Sequence, residues 1–122
     1  MLYADTDFFF ALMKENDRLN PAAVRAYERY KGQLSASMAT VIELLIVGKR
    51  AGYNATRLVQ NVVLIAAIEG ISQDNLLLVA RYIDDYGMSI FDSFHAVLCN
   101  GEILSSDHTY DAIGIQRIGL MD

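Results

Sequence analysis

The 122-residue chain has one cysteine, one proline, no tryptophan and few basic residues, and each scarcity closes off a class of protein. A lone Cys99 makes no internal disulfide, so the chain is not a disulfide-framed scaffold. Its place among helix-period apolar residues reads as a buried, inert thiol. No long hydrophobic run is present either: the longest, Val62 to Ile68, falls far short of the roughly 18 residues that suggest a bilayer span. No membrane helix is expected. The opening Met-Leu-Tyr-Ala-Asp lacks the basic n-region of a signal peptide, which makes the cytoplasm the default location. Repeats, low-complexity tracts and Pro/Gly/Ser-rich linkers are missing, so one domain over residues 1–122 is expected. Ten Lys and Arg stand against fifteen Asp and Glu, a formal net charge of -5. That balance argues against broad nonspecific attraction to nucleic acid, although carboxylates that hold a dication are counted as bare charge in the sum.

What is present is a foldable pattern. Hydrophobic residues make up 53% and charged residues 20%, far from the signature of disorder. Met1 to Ala4 reads as a short strand ending at Asp5, and Phe8, Phe9, Phe10, Leu12 and Met13 suit a helix packed on a sheet. Asn20-Pro21 reads as an N-cap with proline at the first helical position, and the helix continues over Ala22 to Lys31 until Gly32. Leu34 to Ser37 is the next strand. Thr40 is read as the cap of a helix from about Val41 to Ala51, closed by Gly52, with Glu43 in its first turn. Asn54 to Glu69 is apolar almost all round and reads as a helix buried on several sides. A short strand at Ile71 to Gln73 and a helix from Asp74 to Tyr86 follow. Ser89 caps a helix from Ile90 to Cys99, Ile103 to Ser105 is a strand leading into Ser106-Asp107, and a final short helix and strand close the chain. Short strands alternating with helices imply an α/β fold, a short, mostly parallel sheet flanked by helices on both faces.

Parallel α/β sheets bind ligands at the carboxyl ends of their strands, so acids at those ends weigh more than acids on helix surfaces. Asp5 follows the first strand, Asp107 follows the strand Ile103 to Ser105, Glu43 follows the strand Leu34 to Ser37, and Asp92 lies in the first turn of the helix before Asp107. Each has an ordinary alternative as a cap, a first-turn helix acid or, for Asp92, a partner of His95 or Arg81. Asp92, however, is surrounded in sequence by Ile90, Phe91, Phe94, Ala96, Val97 and Leu98, an expensive setting for an unpaired charge. A shared Mg²⁺, which takes one or two carboxylates directly and the rest through water, accounts for the four together. His95 and His108 have no Cys or His partner at recognisable spacing, so both read as structural and zinc is not expected.

These blocks also resemble a known family over essentially the whole chain. Leu2-Tyr3-Ala4-Asp5-Thr6-Asp7-Phe8-Phe9 is similar to the opening PIN-domain signature of strand, Asp-Thr-Asn and apolar helix, with Asp7 where Asn is common. Ser37 to Leu44 resembles the second PIN block, with Glu43 as its acid; Phe91 to Ala96 resembles the third, with Asp92; and Ile103 to Asp111 resembles the last, with Asp107. Ser105 stands where threonine is commoner and keeps the hydroxyl. Asp7 reads first as a helix cap and second as a further metal-facing carboxylate, and Asp111 as a surface acid.

The resemblance, which is to PIN nucleases of the VapC toxin type, implies a metal-dependent endoribonuclease. Asp5, Glu43, Asp92 and Asp107 would hold Mg²⁺ or Mn²⁺, and the Ser105 hydroxyl would bond to a metal-bound water or phosphate. It also implies RNA as substrate, a cognate antitoxin as partner and a homodimer. Lys14, Arg18, Lys49, Arg50 and Arg57 read first as ordinary solvated surface and second as candidates for RNA backbone contacts. The Val59 to Ile68 segment and the Phe8 to Phe10 face read first as core and second as a subunit contact. A housekeeping PIN nuclease in RNA processing and a catalytically silent RNA-binding or scaffold module are the alternatives; the complete acid set argues against the second. Asp5-Thr6-Asp7 superficially fits the Asp-x-Asp motif of HAD phosphatases, but Phe8-Phe9 stands where glycine and threonine are needed. A receiver domain needs a late lysine, and none follows Lys49.

Overall fold

The computed structural model describes residues 1–120, so the last two residues of the expected 1–122 span lie outside the described residues. Alternation along the strands sets the architecture. Leu2 and Ala4 of β1 (Leu2–Ala4), Leu34 and Ala36 of β2 (Leu34–Ser37) and Leu104 of β4 (Glu102–Ser105) belong to one buried cluster. Tyr3 and Ile103, one position out of phase, belong to a second cluster across the sheet. Over the first face pack Phe8, Phe9 and Ala11 of α1 (Thr6–Met13), Ala22 and Ala23 of α2 (Asn20–Tyr30), Leu44 of α3 (Met38–Arg50), and Leu58 and Val62 of α4 (Ala55–Ile65). Over the second pack Tyr82 of α5 (Gln73–Tyr86), and Ala96 and Leu98 of α6 (Ile90–Leu98) with Cys99 just beyond it. Cys99 is the buried thiol expected, its Sγ directed at the Ala96 carbonyl 3.3 Å away.

With β3 (Ala67–Glu69) and β5 (Gln116–Gly119), the sheet has five strands in the order β3-β2-β1-β4-β5, all parallel. The expected parallel α/β sheet covered on both faces is therefore present. The chain steps outward from β1 through β2 to β3 and then returns to the other side of β1 with β4. This reversal makes a topological switch point between β1 and β4, and open α/β sheets bind ligands at the carboxyl ends of the strands there.

Four local readings are corrected. The apolar stretch Asn54 to Glu69 is not one buried helix: α4 ends at Ile65, Ala67–Glu69 is β3, and Val63 and Leu64 point outward, Leu64 with 81% of its surface exposed. Pairing of Ser35 with Ala67 and Ser37 with Glu69 creates that strand, whereas Ile71 to Gln73 finds no strand partner and Gln73 instead begins α5. Helix α3 starts at Met38, and Thr40 lies inside it, its hydroxyl accepting from the Ser37 amide at 3.3 Å. Glu43 therefore stands in the second turn, not the first. Asn20 is already helical, with Leu19 in the cap position, and its side-chain amide donates to the Ala11 carbonyl at 2.8 Å, tying α2 to α1.

Candidate active site

At the switch point Asp5 leaves the end of β1 and caps α1. Its Oδ1 accepts from the Thr6 amide at 2.8 Å, and its Oδ2 accepts from the Ser105 hydroxyl at 2.7 Å. Ser105, fully buried at the end of β4, also accepts from the Asp107 amide at 2.9 Å, so one hydroxyl locks both strand exits together. That inward bonding occupies the group expected to face a water or phosphate. Burial pushes the Asp5 carboxyl up to about 7, the neighbouring Asp7 pushes the same way, and His95, Ser105 and the Thr6 amide hold the rise back.

Asp7 does not cap α1. One of its oxygens accepts from both the amide (3.0 Å) and the hydroxyl of Ser106, pinning the β4 exit, while Oδ1 is buried with no hydrogen-bond partner. Burial raises its pKa as well, with Asp107 adding to the rise. Asp107 caps the 3-10 helix His108–Ile113, its Oδ1 accepting from the Thr109 amide at 2.9 Å.

From α3, Glu43 reaches the same place. Its Oε1 accepts from the Thr6 hydroxyl and lies 3.0 Å from Nε2 of His95; burial raises its pKa, but these two hydrogen bonds outweigh it and hold the carboxyl below its ordinary value. Asp92 sits in the first turn of α6, which the Ser89 hydroxyl caps by accepting the Asp92 amide at 3.3 Å. The Tyr110 hydroxyl donates to Asp92 Oδ1 at 3.4 Å. Burial raises the Asp92 pKa, and Asp107 and Glu43 contribute to the rise.

Asp5, Glu43, Asp92 and Asp107 thus converge from four segments, and Asp7 joins them. Asp111 does not: it is exposed, bonded to Arg117 Nε at 3.2 Å and His108 Nδ1 at 3.1 Å, bonds that hold its carboxyl below the ordinary value. The ordinary alternative for Asp92, a pairing with His95 or Arg81, is not what forms: His95 pairs with Glu43 and Arg81 with Asp85. Lys14, Arg18, Lys49, Arg50 and Arg57 are all exposed. Lys14 ends α1 and Lys49 and Arg50 end α3, at the far ends of those helices from Asp5 and Glu43.

The sequence reads His95 as structural, without a place in the carboxylate site. His95 is fully buried inside the carboxylate cluster, 3.7 Å from Asp5 Oδ1 as well as bonded to Glu43. The available signal was its spacing: three residues after Asp92, it shares that helix face.

No three His, Cys, Asp or Glu side chains among the described residues stand in ready metal-coordinating geometry. The donor set nonetheless suits a hard dication. Buried and half-buried carboxyls with raised pKa values crowd one another, Asp7 Oδ1 lacks any partner, and Mg²⁺ and Mn²⁺ favour carboxylate and water oxygens, with Mg²⁺ keeping several waters.

A five-stranded parallel α/β fold with an acidic cluster at its topological switch point is the class of protein defined so far. The PIN domain model matches residues 2–114, and the chain belongs to the PIN domain family. Structural comparison aligns it with VapC20 of Mycobacterium tuberculosis, a sarcin-ricin loop cleaving toxin (TM-score 0.81, 16% identity, 94% of this chain and 96% of that one). A toxin-antitoxin complex from Klebsiella pneumoniae aligns at TM-score 0.75 and 19% identity, covering 100% of this chain and 99% of the other. FitAcB from Neisseria gonorrhoeae aligns at 0.74 and 17%, covering 96% of each chain. Among curated protein sequences no match is found.

Proposed function

We propose that this chain, as one PIN unit, is a metal-dependent endoribonuclease that hydrolyses RNA phosphodiester bonds as the toxin of a VapBC-type pair. On this reading it acts in the cytoplasm as a homodimer held in check by a cognate antitoxin. Membership of the PIN family and similarity in fold to a VapC toxin and to toxin-antitoxin complexes support it. The observation that carries it is the convergence of buried and half-buried carboxyls, three with raised pKa values and one with an orphaned oxygen, where the sheet changes direction. Such crowding costs free energy unless a cation is shared.

Asp5, Glu43, Asp92 and Asp107 are assigned as the groups that hold Mg²⁺ or Mn²⁺. When bound, the ion supplies an acidified water at neutral pH and positive charge for the phosphate oxygens. The protein's own contribution is order. Ser105 fixes the direction of Asp5 and the exit of Asp107, the Ser89 cap sets the turn that carries Asp92, and Thr6 with His95 holds Glu43. Ser105 acts by positioning, since its hydroxyl is committed to Asp5.

The decisive experiment incubates the purified chain, free of any antitoxin, with a mixed structured RNA and Mg²⁺ or Mn²⁺. Asp92→Asn and an EDTA arm are the controls. Wild type is expected to cut; removing the metal or Asp92 is expected to lower the rate at least about 100-fold, the scale on which one electrostatic group acts in a preorganised site. A folded wild type that cuts none of several RNAs and binds no divalent cation rejects the proposal.

A further inference from the structure

We propose that Tyr3 and His95 are positioning residues for Glu43: the Tyr3 hydroxyl fixes the imidazole, whose Nε2–H holds Glu43 Oε1 and leaves Oε2 to face the divalent cation. This rests on reading the carboxylates as a metal centre. It extends that reading to two residues that contribute no carboxylate.

The chain of contacts begins in β1. Strand alternation sends Tyr3 to the face covered by α6, and its ring lies 5.7 Å from that of His95. The Tyr3 hydroxyl is 2.8 Å from His95 Nδ1, and it is also 2.9 Å from the Ser37 hydroxyl and 3.2 Å from that of Thr40. Ser37 and Thr40 can donate to the phenol oxygen, which frees the single phenol proton for Nδ1.

At the other edge of the ring, Nε2 lies 3.0 Å from Glu43 Oε1 and 3.2 Å from the Thr6 hydroxyl. A carboxylate only accepts, and Thr6 already donates its proton to the same Oε1. The bond therefore requires the proton on Nε2, an assignment made from the network of partners. Both donors fall on Oε1. Glu43 is thus gripped on one oxygen, from α1 and from α6, while α3 supplies its backbone.

Outer partners of metal ligands set ligand direction, and removing one typically costs about 10–100-fold in metal affinity or activity. A histidine that merely filled the core would show no such link to metal binding.

The test measures Mn²⁺ binding by the full chain through the EPR signal of free aqueous Mn²⁺, for wild type, His95→Leu, His95→Gln and Tyr3→Phe. Guanidinium unfolding of each checks the fold. His95→Leu is expected to weaken Mn²⁺ binding about tenfold or more. His95→Gln, whose amide retains a donor for Glu43, is expected to recover most of that loss, and Tyr3→Phe to fall between. Nitrogen-15 spectra of the metal-free wild type are expected to place the imidazole proton on Nε2. A folded His95→Leu that binds Mn²⁺ as tightly as wild type overturns the proposal, as does a ring protonated on Nδ1 alone. Should His95→Leu not fold, Tyr3→Phe decides by the same criterion. Wild type that binds no Mn²⁺ removes the metal-centre reading and this inference with it, whereas wild type that binds beside unaffected variants removes the positioning role alone.

Discussion

Asp5 places function and stability in opposition within one side chain. Its ordinary pKa is 3.8, and burial, reinforced by Asp7, pushes it to about 7 in the folded metal-free chain. Between those two values the folded state binds more protons than the unfolded state, so stability is full below about pH 4 and is lost as pH rises through 7. Asp7 and Asp92, also raised, act with the same sign; Glu43, held low, acts oppositely but only in the acid range. Metal-free protein in chelator is therefore expected to melt at a lower temperature at pH 8 than at pH 5. Asp5→Asn should flatten that slope and melt several degrees above wild type at pH 8 while cleaving no RNA. Thermal unfolding at both pH values checks this, and a wild type at least as stable at pH 8 as at pH 5 contradicts it. The four acids that converge here were legible because each stands at a strand exit or near a helix start. His95 was less so: beyond its spacing from Asp92, a single histidine among apolar neighbours has the same local sequence whether it fills a core or holds a carboxylate. What distinguishes the two cases is the packing of α6 on β1, which brings Tyr3 to it across 92 residues of chain.

Helix α6 shows how an element carries a site residue. Ser89 accepts the Asp92 amide and its own carbonyl accepts the Ser93 hydroxyl at 2.7 Å, so the first turn is fastened twice. Ser89→Ala removes the first fastening and is expected to cost about 1 kcal/mol in urea unfolding, with an unchanged slope. RNA cleavage should fall by more than stability alone explains, because the loosened turn bears Asp92. Ser89→Asp, another good cap, should restore both, and a Ser89→Ala variant with wild-type cleavage would separate the cap from the site. Helices of this kind, with a cap, apolar periodicity and a glycine stop, were readable almost to the residue; Gly87, in the left-handed conformation after α5, is one such stop. The third strand was hidden because Ala67–Glu69 continues the apolar run of α4 with only Ala66 between them, and three residues hold no period of their own. Its identity comes from β2 alongside it, a long-range partner that local pattern does not encode. The start of α3 was misplaced for a related reason: Thr40 has a cap's chemistry but uses its hydroxyl from inside the helix, back toward Ser37.

At the scale of the whole molecule, the core absorbs the aromatic face of α1, with Phe8 and Phe9 fully buried, so that face is not free to contact a second subunit. The surface left apolar lies elsewhere. Met38, Ile42 and Ile46, spaced by four along α3, are 49%, 46% and 41% exposed, and Leu76, Leu77 and Leu78 of α5 are exposed as well. Residues four apart share one side of a helix, so α3 presents a continuous apolar stripe to solvent. Such a stripe suits a two-fold contact in which the same helix of each copy packs on the other. We propose that the homodimer of the proposed function packs through this stripe. Sedimentation velocity at micromolar concentration is expected to show wild type as a dimer and Ile46→Asp as a monomer with the same far-UV circular dichroism. Ile46 is the position to change because it lies one turn beyond Glu43, toward the end of α3 away from the carboxylates. A wild type that sediments as a monomer removes the homodimer from the proposal, and a dimer that survives Ile46→Asp moves the contact off α3.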